Sequence, residues 1–429
     1  MQTPIQHAEH PHGGPTDPSH DERLKRGIID TQVSRSVAWA LLAGMLLLIF
    51  GVPISQAVIE KRNDEDSMLL DVFKHLPTKE SCQRYEDDLK NASYAKDWVQ
   101  PRVQERLSRL RAGNDNAVIG QGDWLYYSPG LRSVVGPGFL DANINQSRIK
   151  AALDANDEPL HPDPRPAVLE FYRALQARGI ALVLFPVPDK VSLQPFELSS
   201  RRASPVVARN VDYARFVAQM RAAGVLIFDP TPDALVPGEP ARFLTQDTHW
   251  TPAWMHTVAG RLATFVHAHV SLAEASPRPA WRLAPRSVTR VGDIVDMLKL
   301  PEAQRTFHPH TITVQQVWDA KGELWQPSEE ADVLLLGDSF SNVFSAAPMG
   351  WGEAAGLPQH LALALGRELD VIAQNDSGAM ATRQTLSRAL VNGEDRLKGK
   401  RVVIWEFASR ELAVGDWKPM SYALPAASK

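Results

Sequence analysis

The chain has 429 residues, 44% of them hydrophobic, and a formal net charge of −4. That length and apolar share allow one large domain with appendages or two domains, and the charge gives no support to nucleic-acid binding. A single cysteine, Cys82, excludes an internal disulfide and a cysteine-based metal site.

Met1 to Ile29 is rich in His, Pro, Gly and charge and is expected to be disordered. His7, His10, His12 and His20 read as solvated tail residues, because no acidic or cysteine partner is placed with them. Val37 to Ile59 has no charged residue and is about the ~20 residues needed to cross a bilayer. Arg23, Lys25, Arg26 and Arg35 precede it, and Asn63-Asp64-Glu65-Asp66 follow closely. This bias, weakened slightly by Lys61 and Arg62, predicts a single pass with a cytoplasmic N-terminus and an external C-terminal part. An uncleaved anchor is favoured over a signal peptide, whose apolar region is usually ~7–15 residues long. The expected organisation is a tail over 1–36, an anchor over 37–59, a linker and helical stalk over 60–115, and one domain over 116–429.

Gln83 to Arg111 has helical character, with a break expected at Pro101. Ala117–Ile119 and Asp123–Tyr127 read as two short strands around Gly120-Gln121-Gly122. Arg132 to Pro166 is polar and Pro-rich and reads as a long excursion. From Ala167 the pattern alternates: a helix to Ala177, an apolar strand over Ile180–Val187, a helix over Val206–Ala223, and a strand over Val225–Phe228. Such alternation implies βαβ units and a parallel sheet. Lys190, after that first apolar strand, is expected to pair with Asp189 or to anchor a substrate. Thr251–Val270 is a helix, and Ser271–Glu330 reads as an irregular insertion beside a site. Its His308 and His310 are weak metal candidates. Leu361–Leu369 reads as a helix, Asp370–Ala373 as a strand, Thr382–Leu390 as a helix and Arg401–Phe407 as the final strand.

The stretch Asp332–Phe344, DVLLLGDSFSNVF, organises the rest. Its apolar run reads as a buried parallel strand, and Gly337-Asp338-Ser339 turns sharply into a helix. Such a turn lifts one side chain above the carboxyl edge of the sheet, where open α/β sheets bind ligands. That side chain is Ser339, a candidate nucleophile. The candidate base is His249 in Thr245-Gln246-Asp247-Thr248-His249-Trp250. Asp247 and His249 are two apart, so an extended segment projects both to one side, and the carboxylate can fix the imidazole tautomer. Read alone, GDS is a tight turn and the DTHW stretch a helix start ahead of Pro252.

DTHW followed by GDSFS resembles the SGNH-hydrolase-like polysaccharide O-acetyltransferases of alginate biosynthesis. The resemblance extends to Val118–Tyr126, Pro186–Lys190, Gly292-Asp293-Ile294 and Trp405–Arg410, and covers roughly Asn116 to Arg410. It implies a three-layer α/β/α domain and an acetyl-serine intermediate on Ser339, with His249 as base and Asp247 orienting it. The oxyanion would be held by the amide of Ser339 and a donor from the Asn375–Gly378 loop. Arg383 is the residue chosen to bind an anionic or polar substrate; its bland reading is a helix-surface charge. No cofactor or metal is expected. The resemblance further implies an alginate-like or cellulose-like acceptor in the periplasm and an acetyl group supplied by a membrane-bound O-acyltransferase. The chain leaves no room for a C-terminal carbohydrate-binding module, which matches the membrane-anchored members. Water as acceptor would give an acetylesterase from the same residues. A non-catalytic scaffold of a polysaccharide secretion complex is the alternative from another class.

Overall fold

The computed structural model describes residues 34–424 except 75, 156–157, 200–205, 233–234, 237, 275–278 and 376–377. The tail expected to be disordered, Met1 to Ile29, and its four histidines lie outside the described residues. The chain divides into two compact units, residues 1–99 and 100–429.

In the first unit, Arg35–Arg62 forms one helix long and apolar enough to cross a membrane. A π-helical turn at Leu47–Gly51 interrupts it just before Pro53. Proline lacks an N–H and its ring crowds the preceding turn, so a widened turn relieves both. Gln56 accepts from the Tyr94 amide and donates to the Ala92 carbonyl. The apolar helix is thereby tied to the connection between helices Lys79–Asn91 and Tyr94–Arg109. The helical break falls at this connection and not at Pro101, which stays inside the second helix.

The second unit is built on a five-stranded parallel sheet of order β4-β3-β9-β7-β8. Its strands are β3 (Ala181–Val187), β4 (Leu226–Ile227), β7 (Val333–Gly337), β8 (Asp370–Ala373) and β9 (Val402–Ala408). Alternate residues of each strand feed opposite faces, as the pleat requires. Val183, Phe185, Val333, Leu335, Val402 and Ile404 pack with Val258 and Leu262 of the Pro252–His269 helix. Leu182, Leu184, Leu334, Leu336, Val403 and Trp405 pack with Phe171, Phe216 and Leu386, each from a different helix. Helices therefore cover both faces, giving the three layers expected. Strands buried on both faces read as continuous apolar runs, which is why β3, β7 and β9 were visible in the sequence.

Two small antiparallel pairs flank this sheet. β1 (Ala117–Ile119) pairs with β2 (Leu125–Tyr127). β5 (Arg282–Arg290) pairs with β6 (His310–Trp318) through nine registered residues. The second pair lies inside the stretch expected to be irregular. β5 has exposed or half-buried residues throughout, so no apolar alternation marks it. The Arg132–Pro166 excursion likewise contains a helix, Ala142–Asp154, started by the Asp141 carboxylate accepting from two amides. Among that helix's residues only Asn145 is buried, so it carries no apolar stripe.

Candidate functional site

The site stands at the carboxyl edge of the sheet. β7 ends at Gly337, Asp338 caps the turn, and Ser339 opens the short helix Ser339–Asn342. The Asp338 carboxylate accepts from the Phe340 amide with one oxygen and from the Ala408 amide with the other. Glu406 of β9 accepts from the Asp338 amide at 3.0 Å and from the Ser341 hydroxyl at 2.6 Å. The turn is thus clamped to β9 by two buried carboxyl groups. Burial, and then the charge of Asp338, push the Glu406 carboxyl well above the usual range. Gly337 is needed here, because a Cβ would lie 2.3 Å from the Ser341 hydroxyl.

The segment 244–250 brings Asp247 and His249 to the same edge. His249 Nδ1 lies 2.6 Å from Asp247 Oδ1, and both side chains are buried. The other carboxylate oxygen accepts from the Trp351 indole at 2.7 Å and from the Asp293 amide at 2.9 Å. Asp293 in turn accepts from the Thr248 amide at 2.7 Å. Gly292 permits this close approach, since a Cβ there would stand 2.1 Å from the Gln246 carbonyl. His249 Nε2 is buried and has no hydrogen-bond partner among the described residues. The imidazole packs on the Phe340 ring at 5.0 Å, which sets it beside the turn that carries Ser339.

This wiring sets the charge states. Burial pushes the Asp247 carboxyl up, but the bonds from His249, Asp293 and Trp351 outweigh it and hold the group well below the usual carboxylate range. Burial pulls His249 down, while Asp247, Asp293 and Asp338 outweigh that and raise it. Asp293, half-withdrawn from water beside Asp247, is pushed up to about 6. Asp247, His249 and Asp293 bring one ligand atom each within 4.8 Å of one another, the spacing of a metal trio. Both Asp247 oxygens are already committed to N–H groups, so the arrangement reads as an orienting network for the imidazole.

Lys190 does not pair with Asp189. Its ammonium turns the other way, toward the carbonyls of Leu125, Leu244, Thr245 and Asp247 at 2.6–3.0 Å. Asp189 instead accepts from Ser409 at 2.7 Å and faces Arg410 at 3.7 Å. Arg410 lies over the rings of Tyr127 and Phe340, the residue after the candidate nucleophile. Glu411 beside it is pushed up to about 7, by burial first.

Asn375 is exposed, and its side-chain oxygen accepts from Asn342 at 2.8 Å, at the end of the helix that Ser339 opens. Gly378 has φ +45° and abuts Glu411. The two residues between them lie outside the described residues. The expectation for Arg383 is corrected. It is 0% exposed, stacked between Trp405 and Trp417 and bonded to Tyr422, on the core side of its helix. A side chain so enclosed cannot meet a substrate. Its place on Gly378–Val391 was read correctly, but the inward face of that helix was not.

In the sequence Asp293 and Arg410 stand only within the short motifs Gly292-Asp293-Ile294 and Trp405–Arg410, which assign them no role. Trp351 carried no signal, since its contact with Asp247 spans 104 residues. A cavity of about 180 Å³ lies beside this network, lined by Phe243, Gln246, Arg290, His310, Thr311 and Trp351 among others.

A parallel three-layer sheet with a serine turn after one strand and an Asp–His pair at the same edge defines an SGNH hydrolase-like domain. A family model described as "SGNH hydrolase-like domain, acetyltransferase AlgX" matches residues 117–409, and the chain belongs to that acetyltransferase family. The probable alginate O-acetylase AlgJ of Pseudomonas aeruginosa is 27% identical over 286 residues, covering 61% of this chain and 68% of that protein. Its counterpart in Pseudomonas syringae pv. tomato is 25% identical over 323 residues, covering 72% and 73%. The solved O-acetyltransferase domain of Pseudomonas putida AlgJ shares the fold with a TM-score of 0.50 at 22% identity, over 70% of this chain and 93% of that one.

Proposed function

We propose that this enzyme transfers acetyl groups to hydroxyls of an alginate-like exopolysaccharide through an ester on Ser339. His249 takes the serine proton as Ser339 attacks the acetyl donor, and Asp247 holds the imidazole tautomer. The donor's leaving group departs with that proton. A sugar hydroxyl then attacks the acetyl-serine while His249 removes its proton; the bond to Ser339 Oγ breaks, His249 returns that proton to the departing serine oxygen, and the ester passes to the sugar. The carrying observation is the 2.6 Å bond between Asp247 and His249, whose buried Nε2 has no hydrogen-bond partner among the described residues and lies next to Phe340. The amide of Ser339 and a donor from the Asn375–Gly378 loop supply the oxyanion contacts in this reading. The cavity beside Trp351, with its hydroxyl, amide and imidazole lining, suits a sugar ring.

The apolar helix Arg35–Arg62 serves as the inner-membrane anchor. The basic residues before it favour a cytoplasmic N-terminus, with the catalytic unit in the periplasm. The acetyl donor would then come from a membrane-bound O-acyltransferase partner. The test uses full-length protein in detergent, a chromogenic acetyl ester and a panel of uronate and glucan oligosaccharides. Acetylated oligosaccharide that vanishes in Ser339→Ala and His249→Ala supports transfer. Release of free acetate alone would identify an esterase, and activity untouched by either change would remove both residues from the chemistry.

A further inference from the structure

Lys190 sits one turn beyond β3 and is 6% exposed. Its Nζ donates to Leu125 O at 2.6 Å, Leu244 O at 2.6 Å, Thr245 O at 2.9 Å and Asp247 O at 3.0 Å. The rings of Trp124 and Tyr126 flank it at 5.1 and 5.2 Å. Among the described residues no carboxylate oxygen lies within ion-pair distance of it. A buried ammonium held by carbonyl dipoles and ring faces is an expensive feature to keep.

Three of the four carbonyls belong to 244–247, the segment that ends in Asp247 and leads to His249. Drawing these oxygens to one point orients the peptide groups of the segment. The amides of Thr248 and His249 then bond to the Asp293 and Asp247 carboxylates. An ammonium has three protons for four acceptors, so every donor is used. A neutral side chain of the same length would leave the carbonyls crowded and unpaired.

We propose that Lys190 is a positioning residue: its charge, caged by four main-chain carbonyls, holds the 244–249 segment in the form that presents His249 to Ser339. This rests on the reading of His249 as the base. Burial pulls the ammonium down to about 7, against the charges of Asp247, Asp293 and Glu197, which hold it up. The uncharged tyrosine hydroxyl of Tyr126 donates to the Gln194 carbonyl and adds no charge to the cage. Above that pH the amine has two N–H groups, cannot fill the cage, and releases the segment. The cation also opposes the proton on His249, so its removal shifts the imidazole upward.

The test compares full-length wild type, Lys190→Met, Lys190→Ala and His249→Ala on a chromogenic acetyl ester across pH. Expected for Lys190→Met is a kcat loss of about 100-fold with KM little changed, an acid limb moved to higher pH, and loss of the descending limb near 7. Ethylammonium should restore at least tenfold of the Lys190→Ala loss, and ethanol should not. An unchanged pH profile in Lys190→Met with kcat within twofold of wild type would overturn the proposal. So would a wild-type profile with no descending limb, which needs no variant to fold. A kcat loss that only tracks the folded fraction, with no ethylammonium rescue, would make Lys190 structural. Full activity in His249→Ala would sink the base reading itself and is distinguishable from all of these.

Discussion

The indole of Trp351 donates to Asp247 Oδ2 at 2.7 Å, joining the segment after Ser339 to the segment that carries His249. The candidate nucleophile and base, 90 residues apart in the chain, are therefore referenced to each other through the second oxygen of one carboxylate.

Trp351→Phe keeps an aromatic ring, though a smaller one, and removes that donor. The buried oxygen then keeps only the Asp293 amide, and the lost bond should cost about 1–3 kcal/mol of stability. The carboxylate becomes more basic toward His249, so the acid limb of the rate profile should move to higher pH. Thermal unfolding and a pH–rate series check the two effects separately.

The raised imidazole has two readouts. As a base His249 must be neutral, so the ascending limb of ester turnover should have its midpoint above the usual 6.5 and should run into the descending Lys190 limb, leaving a narrow optimum. Stability runs the other way. The folded state holds the proton more tightly than the unfolded chain, so this group stabilises fully below the unfolded value and loses that contribution as pH rises through the folded one. Asp247→Asn should lower the rate midpoint and cost on the order of 10⁴ in kcat if the pair works as in serine proteases.

Gly292→Ala tests the close approach behind the pair. The new Cβ would meet the Gln246 carbonyl at 2.1 Å and the Asp247 amide at 2.7 Å, both main-chain atoms that cannot swing aside. The segment must shift, and a misplacement of about 1 Å costs on the order of 10²-fold in rate. Kinetics with the chromogenic ester would show this as a kcat loss in protein that remains folded.

Arg383→Ala should act on the fold. Losing the guanidinium between Trp405 and Trp417 should destabilise by about 2–3 kcal/mol. The kcat of the folded fraction should be unchanged for both a small ester and a glycan. A selective loss of glycan transfer would restore the substrate-binding role that the enclosed geometry denies it.

Legibility followed burial and range. β3, β7 and β9 are apolar on both faces and stood out as runs, whereas Asp247 and His249 meet across a bend at 245–249, where the His249 amide also donates to Asp247, and not along the extended segment expected. β5 was hidden because its side chains are exposed or half-buried throughout, so no periodic apolar signal forms along it. Arg383 misled because a charge suggests a surface, whereas aromatic rings and the Tyr422 hydroxyl enclose this one. Lys190 misled for a related reason. Its partners are main-chain carbonyls from 54 to 65 residues away, which no side-chain pattern records.

The central claim is a covalent acetyl group on Ser339. Full-length enzyme mixed with a chromogenic acetyl ester, acid-quenched within the first turnover and digested, should yield the Ser339 peptide carrying one acetyl group. The label should disappear on adding an acceptor glycan and should be absent in Ser339→Ala. Turnover with no acetyl on that peptide at any quench time, or an acetyl on a different residue that disappears on adding the glycan, would contradict acyl transfer through Ser339.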